Sequence, residues 1–579
     1  MPETMRNAEI AAAMDELGTL YELDGAVRFR VLAYREAARV IRQSPVSIAE
    51  LARAGRATEL PGIGATLQEK IVALLDAGEI PSAVKLRAKF PASLLEVTRI
   101  PGLGAKTVRR LYDELGVASL DDLREAAEAQ RIRELRGLGS KVEENVLASL
   151  EKMGTEGAPG RLLLSRVLPI AEELARALRE HPASEAVEIA GSARRGAETC
   201  KDIDLIATAT DPKALARAAV EHPLVAQSGK PGASGARFVT HNGAAVDLRI
   251  VAPDAYGNLL QHFTGSAAHN IALRERAVAR GLSVSEHGIT DVESEKVKRY
   301  ATEQGVYKRL GLAYIQPELR EGRGEIAAAA EDRLPELVEV SDIRGDLHCH
   351  TTLSDGRNSL EEMAAAARAR GYAYLAVTDH SASHGFGDDV QAGALLERVE
   401  EIARLNEKLA TKRFRVLAGS EVNINTDGSL DYADEVLEQL DWVIASVHTS
   451  FRISEKRMTD RVVTAAQNPL VSCIGHLTGR LIGRREPYDI DVERVVEAAA
   501  AAGTMLEING NPNRRDLNEH HARLAADAGV PICVNTDAHG VDTLDNMRWG
   551  IATARRGWLT AAEVANTRTW SQFKKLCKR

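Results

Sequence analysis

Seven short apolar runs in the C-terminal part of the chain sharply limit the folds that it can adopt. Each ends in residue types that bind metals: DLHCH, LAVTDH, VLAGSE, WVIASVH, SCIGH, MLEIN and CVNTDAH. Helical segments separate the runs, and strands that alternate with helices favour a parallel α/β fold. In a (β/α) barrel the catalytic side chains lie at the C-terminal strand ends, so the pattern predicts that these side chains converge.

The strand ends carry nine candidate metal ligands. Six of them are histidines, out of 15 in the chain. A purely structural role, as hydrogen-bonded core residues, is a poor explanation for six histidines at equivalent strand ends. Imidazole mixed with carboxylate suits Zn²⁺, Mn²⁺ or Fe²⁺, and several ions together activate water for attack on phosphorus. The predicted reaction is phosphoester hydrolysis. The candidates are His348, His350, Asp355, His380, Glu421, His448, His476, Asp537 and His539.

A second candidate site contains three aspartates. Asp202 and Asp204 are two residues apart in DIDLIATA, so a strand would project both carboxylates from one face. Asp247, in AAVDLRI, lies on a second predicted strand. Two alternating acids alone are more often an ordinary edge strand, but the third aspartate favours a site for Mg²⁺ or Mn²⁺.

The run GSARRGAETCKDID precedes this site with a turn that suits phosphate binding. Gly191 and Ser192 offer exposed amides and a hydroxyl, and Arg194 and Arg195 add two guanidiniums. Amides at a helix start and guanidiniums both bind phosphate oxygens. The turn therefore predicts a triphosphate site.

Together with VDLRI, this run resembles the palm of the family X DNA polymerases, in the nucleotidyltransferase superfamily. The resemblance implies that the three aspartates hold metal ions and that Gly191, Ser192 and Arg195 hold the phosphates of an incoming dNTP. A related FTGS turn starts a helix under the incoming base pair in that family. The implied nucleotide and template contacts are Phe263, Gly265, Asn270 and Arg274.

Two positions depart from the family pattern. His262 stands where animal relatives usually have a tyrosine, so the resemblance leaves sugar selectivity open. Ala245 replaces a basic residue that often lies two positions before the third aspartate, which predicts a weaker grip on the primer end. Ser266 is also expected to cap the helix that follows it.

A GxG turn followed by a helix occurs three times in the first 150 residues, in ELPGIGATLQEK, RIPGLGAKTVRR and ELRGLGSKVEEN. Each resembles a helix-hairpin-helix motif, in which glycines let backbone amides approach a phosphate. Backbone binding without base reading fits the net charge of −9. The resemblance also implies a monovalent cation at these turns. The predicted DNA-binding glycines are Gly62, Gly64, Gly102, Gly104, Gly137 and Gly139.

Lys70 matches the position of the Schiff-base lysine in the deoxyribose-phosphate lyase of polymerase beta-like relatives. Tyr34 and Arg35 match the same subdomain, whereas Thr66 stands where relatives often have lysine. Phosphate binding is the favoured role for Lys70, and lyase chemistry is the alternative.

The C-terminal part resembles the PHP (polymerase and histidinol phosphatase) domain, a distorted seven-stranded barrel whose site usually holds three metal ions. All nine ligand positions of that family are filled. Arg480, in GHLTGRLIGRR, is either a ligand of the substrate phosphate or an ordinary exposed arginine, and Cys349 is expected in the core. A family X core joined to a PHP domain is the bacterial and archaeal PolX arrangement.

The predicted fold is multidomain: an α-helical helix-hairpin-helix region, an α+β nucleotidyltransferase palm and thumb, and a C-terminal α/β distorted (β/α)7 barrel. The segments are a lyase-like domain with the first hairpin (1–80), a fingers-like domain with two hairpins (81–153), the palm (154–255), the thumb (256–318), a linker (319–341) and the PHP domain (342–579).

The resemblance implies a repair polymerase that fills short gaps, coupled to a 3′-5′ exonuclease with a Mn²⁺ or Zn²⁺ cluster. Its partners would be dNTPs and gapped or nicked DNA. The alternatives are a metal-dependent 3′-end phosphoesterase with weak or vestigial polymerase activity, and a non-enzymatic DNA-end binder. Five cysteines without CxxC spacing, and no apolar span long enough for a membrane, lead us to expect a cytoplasmic, nucleoid-associated monomer.

Overall fold

A computed structural model of the chain describes residues 5–44, 46–98, 100, 103–135, 138–153, 161–383, 389–409 and 413–577. The chain forms two compact units, the first of residues 1–162, 169–187 and 201–250 and the second of residues 163–168, 188–200 and 251–579. This division is coarser than the six predicted segments, whose boundaries stay predictions. No helix in the described ranges is long and apolar enough to cross a membrane.

The first unit begins with short helices packed around one apolar core. Buried residues recur at helical spacing along these helices, as Ile10, Met14 and Leu17 do in α1, and they face that core. Three helices start directly after a predicted GxG turn, at Ala65, Ala105 and Ser140, which confirms the helical hairpin region. The helices are α1 (Asn7–Leu23), α2 (Arg28–Gln43), α3 (Ile48–Arg53), α4 (Ala65–Ala77), α5 (Pro81–Arg87), α6 (Ala92–Val97), α7 (Ala105–Leu115), α8 (Leu120–Glu128) and α9 (Ser140–Met153).

A five-stranded sheet follows, with strand order β2-β4-β7-β6-β5. Strands β4 and β7 are parallel, while β6 pairs antiparallel with both β7 and β5. The elements are β1 (Leu162–Leu163), α10 (Leu164–Glu180), β2 (Ser184–Ile189), α11 (Gly191–Arg194), β3 (Thr199–Cys200), β4 (Asp202–Ala209), α12 (Pro212–Val220), β5 (Val225–Ser228), β6 (Gly235–Thr240) and β7 (Ala245–Ile250).

In the second unit, a small α+β region precedes the barrel. Its three-stranded antiparallel sheet, in order β10-β9-β8, and its helices share a core that includes Leu273, Ile289, Tyr307 and Leu319. The elements are α13 (Tyr256–Thr264), α14 (Ala267–Val278), β8 (Leu282–Ser285), β9 (Gly288–Asp291), β10 (Val297–Lys298), α15 (Glu303–Arg309) and α16 (Glu325–Ala330).

The remaining chain forms a parallel sheet of seven strands in sequence order, β11 to β17, with helices between them. The elements are β11 (Gly345–Asp346), α17 (Leu360–Ala369), β12 (Tyr374–Val377), α18 (Ala392–Leu409), β13 (Arg415–Asn423), α19 (Asp434–Leu437), β14 (Trp442–Ser446), α20 (Glu455–Gln467), β15 (Cys473–Ile474), α21 (Val492–Ala502), β16 (Met505–Asn509), α22 (Glu519–Asp527), β17 (Ile532–Asn535), α23 (Met547–Arg556) and α24 (Trp570–Phe573).

The first and last strands of this sheet meet, so the sheet is nearly closed. His350 N donates to the carbonyl of Ala538 at 2.8 Å, and Cys349 forms a parallel bridge with Ala538. Alternate strand residues such as Leu417 and Ile444 fill the interior, and their neighbours pack under the helices. Strands buried on both faces read as continuous apolar runs, which is why the seven runs predicted this (β/α)7 barrel correctly.

Asn566 joins the two ends of the barrel sheet. Its buried amide donates to the carbonyls of Gly345, in β11, and Val534, in β17, at 2.8 and 2.6 Å, and its oxygen accepts from Val534 N at 3.0 Å. One side chain thus satisfies three buried backbone groups of the two strands.

We predict that Asn566→Ala lowers the free energy of unfolding of the barrel by about 2–5 kcal/mol, because it leaves these backbone groups buried without a partner. Urea unfolding followed by tryptophan fluorescence measures the change. The matched control is Asn425→Ala, whose amide donates to the surface residue Ser429 and which should cost under about 0.5 kcal/mol. Equal effects of the two substitutions would contradict the prediction.

Candidate active sites

Glu421, on β13, is the centre of a cluster of histidines inside the mouth of the barrel. Its side chain is only 1% exposed. Oε1 lies 2.8 Å from Nε2 of His476 and 3.1 Å from Nε2 of His448. Oε2 lies 2.9 Å from Nδ1 of His380 and 3.4 Å from Nε2 of His348. One carboxylate therefore contacts imidazoles from four other strand ends.

The other candidates complete the cluster. His350 Nε2 lies 3.3 Å from Oδ1 of Asp537 and 3.7 Å from Oε2 of Glu421. His539 Nε2 lies 3.2 Å from Oδ2 of Asp355, at the more exposed edge. All nine side chains predicted from the strand ends thus lie together at one end of the barrel.

The side chains form three overlapping groups whose ligand atoms lie within 4.8 Å of one another, a spacing suited to metal ions. The groups are His350, Asp355, His380 and His539; His348, His350 and Asp537; and His380, Glu421 and His448. Both ring nitrogens of His350 and Nε2 of His348 are buried without a hydrogen bond among the described residues. Buried nitrogens without such bonds, beside carboxylates, fit a divalent-metal cluster.

Burial and neighbouring charges set the protonation of this cluster. Burial lowers the pKa of His350 to about 4, helped by the imidazoles of His539 and His380. Burial also lowers the pKa of His448 to about 4, against the attraction of Glu421. Burial opposes ionisation of Glu421, but the imidazoles around it hold its pKa well below the usual range. Burial opposes protonation of His348 and His380 as well, but Glu507 and Glu421 raise their pKa values above the usual range. The carboxylates are thus ionised and some rings protonated, and metal binding would displace the protons from those rings.

Glu507, on β16, was not predicted from the sequence. Its Oε1 lies 2.8 Å from Nδ1 of His348, and its Oε2 accepts from the backbone amide of His476 at 2.8 Å. Asn509 donates to both Glu507 and Asp537, at 3.1 Å each. The glutamate in the apolar run MLEIN was the sequence feature from which this residue could have been predicted. Glu507 thus contacts the predicted ligand His348 through the nitrogen opposite the cluster, the contact by which an outer carboxylate orients a metal-binding imidazole.

Two arginines near the barrel mouth differ in their partners. Arg514 was not predicted; its Nε lies 3.5 Å from Oδ2 of Asp537, and its side chain is 19% exposed. Arg480 is buried against Glu198, with 3.2 Å between Nη1 and Oε2, so it is not an ordinary exposed arginine.

Cys349 lies in the core as expected, with its thiol 3.3 Å from the carbonyl of Ala376.

The three aspartates of the first unit lie on adjacent parallel strands. Asp204 in β4 is directly opposite Asp247 in β7, while Asp202 is opposite Ala245. The intervening Ile203 is fully buried, so the alternation predicted for β4 is confirmed.

Two arginines that the sequence analysis did not single out hold the Asp247 carboxylate. Arg237 Nε and Arg249 Nη2 both donate to its Oδ2, at 3.1 and 2.9 Å. The three carboxylates therefore share one face of two paired strands, and the charge of the third is balanced by cationic neighbours.

The turn of residues 191–198, which we call the Gly191 turn, begins with φ +64 at Gly191 and the short helix α11. Arg194 donates to Thr264 Oγ1 and to Glu303, at 2.8 and 2.7 Å. Arg195 donates to Glu321 at 2.9 Å and to the carbonyl of Thr264. The arginine predicted to hold phosphates is thus paired with a carboxylate, and its phosphate role stays a prediction.

The segment before α14 contains the other predicted nucleotide contacts. Ser266 Oγ accepts from His269 N at 3.3 Å, which confirms the helix cap. Asn270 donates to the carbonyl of His262 at 2.8 Å and accepts from Gln261 at 2.9 Å. These bonds fix the turn at the start of α14. The predicted roles of Phe263, Gly265, Asn270 and Arg274 remain untested.

The backbone of the GxG turns is accessible beside the start of each following helix. Among the described residues, no atom lies within 4 Å of a β carbon built on Gly64, Gly104 or Gly139, so these residues leave space for a ligand beside the helix start. At Gly62, φ is +88, which favours glycine. Gly102 and Gly137 lie outside the described residues.

Lys70 lies on α4, half-buried, with its amine 3.0 Å from Ser82 Oγ. Of the residues that match the same subdomain, Tyr34 is buried and stacked on Tyr21 at 5.3 Å, and burial raises its pKa to about 12. Arg35 pairs with Glu22. Lys70 thus has a hydroxyl partner, and both of its predicted roles remain open.

Four families match this chain, each over one part of it. Residues 5–80 match a helix-hairpin-helix domain and residues 94–152 a SAM-like helix-hairpin-helix tandem. Residues 259–321 match the DNA polymerase beta thumb and residues 346–511 the PHP domain.

Similar proteins include a DNA polymerase/3′-5′ exonuclease PolX of Bacillus subtilis, 37% identical over 99% of this chain and 100% of the relative. A probable phosphatase of Thermoanaerobacter sp. is 32% identical over 38% of this chain and 89% of its own length. Rat DNA polymerase lambda is 27% identical over 55% of this chain and 57% of its own length.

We predict that Glu507→Gln weakens divalent-metal binding at the barrel about 10–100-fold, because the carboxylate that orients His348 loses its charge. Titration of the metal-depleted protein with Mn²⁺, followed by paramagnetic resonance, measures the affinity. The exposed partner of Arg398, Glu401, supplies the control Glu401→Gln, which should bind Mn²⁺ as the unsubstituted protein does. Unchanged affinity in Glu507→Gln would refute its role.

Proposed function

This chain belongs to the bacterial family X DNA polymerases that carry a PHP domain, and on that premise we propose which residues add a nucleotide to a DNA end and which remove one. It is a DNA polymerase and 3′-5′ exonuclease, and both of its families are metal-dependent. DNA and dNTPs are its substrates. The proposals below concern the residues, the ions and the form of DNA.

For nucleotide addition we propose Asp202, Asp204 and Asp247 as the metal ligands. The observation that supports this is the register that sets Asp204 directly opposite Asp247 on adjacent parallel strands. Mg²⁺ or Mn²⁺ bound there would polarise the α-phosphate and the primer 3′-hydroxyl for a displacement that releases pyrophosphate.

The nucleotide itself would be held by other side chains. The Gly191 turn, through Gly191, Ser192 and Arg195, would hold the phosphates of the dNTP. The start of α14, with Phe263, Gly265, Asn270 and Arg274, would hold the base pair and sugar.

For 3′-end removal we propose the barrel cluster. The supporting observation is the buried Glu421 carboxylate in contact with imidazoles from several strands. Mn²⁺ or Zn²⁺ at this cluster would supply the Lewis acidity that activates water against a terminal phosphodiester. Arg514, the partly exposed arginine beside Asp537, would hold the phosphate of the terminal nucleotide.

The hairpin turns are proposed to bind the backbone of gapped or nicked DNA through amides at Gly62, Gly64, Gly104 and Gly139, with a monovalent cation at the turn. The open space beside three of these glycines supports this. Gly102 and Gly137 belong to the same proposal. We propose that the protein acts as a monomer in the cytoplasm, where its DNA substrate lies.

The alternative, a 3′-end phosphoesterase with a vestigial polymerase, is not better supported. All three aspartates are present, and Asp247 is held in position by Arg237 and Arg249. His262 and Ala245 bear on sugar selectivity and primer grip rather than on the carboxylate site.

Two substitutions separate the two activities on one gapped substrate with a labelled primer. Asp204→Asn should reduce extension more than about a hundredfold and leave 3′-end removal intact, and His350→Ala should do the reverse, since a direct ligand costs more than an outer partner. Exposed Asp254→Asn and His287→Ala are the matched controls. Extension that survives Asp204→Asn would refute the palm assignment, and nuclease activity that survives His350→Ala would refute the barrel assignment.

For Lys70 we propose phosphate binding, because its amine already has a hydroxyl partner and lies near a hairpin turn. Borohydride trapping on a 5′-deoxyribose-phosphate end should give no adduct that depends on Lys70, while Lys70→Ala should weaken binding of 5′-phosphorylated gaps a few-fold. An adduct lost in Lys70→Ala would instead establish lyase chemistry.

A further inference from the structure

Glu321 is shared by two arginines from distant parts of the second unit. Arg195 Nε donates to its Oε1 at 2.9 Å, and Arg556 Nη1 donates to the same oxygen at 2.6 Å. Arg195 belongs to the Gly191 turn, whereas Arg556 is the last residue of barrel helix α23. A single carboxylate oxygen thus links the predicted nucleotide site to the exonuclease barrel.

The sharing matters because Glu321 is largely buried, with its side chain 18% exposed. A buried carboxylate needs a cationic partner, since an unpaired charge is strongly unfavourable in a low-dielectric environment. Burial opposes its ionisation, but Arg556 and then Arg195 lower its pKa below the usual range. While Arg556 is present, Arg195 can leave Glu321 without stranding the carboxylate.

Arg556 is itself held firmly. Its Nη2 and Nε donate to Glu519 at 2.7 and 3.2 Å, and its Nη1 also donates to the carbonyl of Arg195 at 3.0 Å. Its side chain is only 8% exposed. The guanidinium is therefore a fixed partner for Glu321, whatever the Arg195 side chain does.

Two further barrel arginines meet the Gly191 turn. Arg515 Nη2 donates to the carbonyl of Gly196 at 2.9 Å, and Arg480 pairs with Glu198. A β carbon on Gly196 would lie 3.4 Å from Cβ of Ala552, on α23. The backbone of the turn is thus fixed to the barrel, so a change of partner by Arg195 would have to come from its side chain.

We infer that Arg556 is a positioning residue for nucleotidyl transfer: it keeps Glu321 paired when Arg195 turns from that carboxylate to the triphosphate of a dNTP. This inference rests on the proposed phosphate role of Arg195. Without Arg556, Arg195 would be the one of these two arginines still paired with Glu321, and the carboxylate would hold it there. The PHP domain then contributes to dNTP affinity as well as to 3′-end removal.

The test is steady-state filling of a one-nucleotide gap by the full-length protein, with KM for the dNTP and kcat measured separately. Arg556→Gln should raise KM about tenfold with a smaller change in kcat, because Glu321 then competes with the triphosphate for Arg195. Adding Glu321→Gln to Arg556→Gln should bring KM back to within about threefold of the unsubstituted value, since the competing carboxylate is gone.

Controls separate this role from a merely structural one. Arg523→Gln removes a barrel arginine that pairs with Asp527 and Glu563, and it should leave KM unchanged. Exonuclease activity should be normal in Arg556→Gln, which reports a folded barrel. Should Arg556→Gln fail to fold, Arg556→Lys replaces it, alone and with Glu321→Gln, because lysine keeps a charge but cannot bridge both acids.

The outcomes are distinct. The inference would be overturned if KM for the dNTP in the variant with both Arg556→Gln and Glu321→Gln stayed as high as in Arg556→Gln alone. It would also be overturned if KM were normal in Arg556→Gln but raised in Arg195→Gln. An unchanged KM in Arg195→Gln would refute the phosphate role of Arg195, and the inference would fall with it.

Discussion

The burial of the Glu421 carboxylate is the constraint on which the barrel half of the molecule depends. An anion removed from water is stable only beside compensating charge, and the residues around it are imidazoles rather than arginines or lysines. Burial lowers the pKa values of His350 and His448 to about 4, whereas nearby carboxylates raise those of His348, His380 and His539. Protonated rings therefore balance part of the carboxylate charge, and we propose that divalent ions replace those protons at the converging strand ends.

Carboxylate charge in the three-aspartate site is balanced differently, by arginines. Paired carboxylates on β4 and β7 are half-buried rather than enclosed, and Arg237 and Arg249 balance Asp247 directly. A half-buried site agrees with our proposal that a primer end and a nucleotide enter there. The enclosed imidazole cluster agrees with the proposed hydrolysis at a single terminus. The two sites differ in enclosure as much as in ligands.

The convergence of the strand-end side chains could be predicted from sequence because parallel barrel geometry places every strand end on one face, so their position in the motif fixes their position in space. The β4 aspartates were predictable for a similar reason, since alternation alone sets their face. Contacts between distant segments were not predictable. Arg480 is 282 positions from Glu198, and no local pattern indicates that pair.

Glu507 and Arg514 were missed for related reasons. Glu507 was one acid in an apolar run, and its role depends on His348, 159 positions away. Arg514 lies in a polar loop whose path past Asp537 no periodicity encodes. The link between Arg195 and Arg556, through Glu321, likewise exists only in the folded chain.

We propose that one chain holds two separate metal sites with opposed chemistry. Anomalous diffraction at the manganese edge, from crystals of the full-length protein grown with Mn²⁺, would locate both sites. We expect peaks within coordination distance of Glu421, His350 and Asp537, and a separate peak among Asp202, Asp204 and Asp247. Crystals that bind Mn²⁺ elsewhere but show no peak at one of these two clusters would refute the two-site proposal.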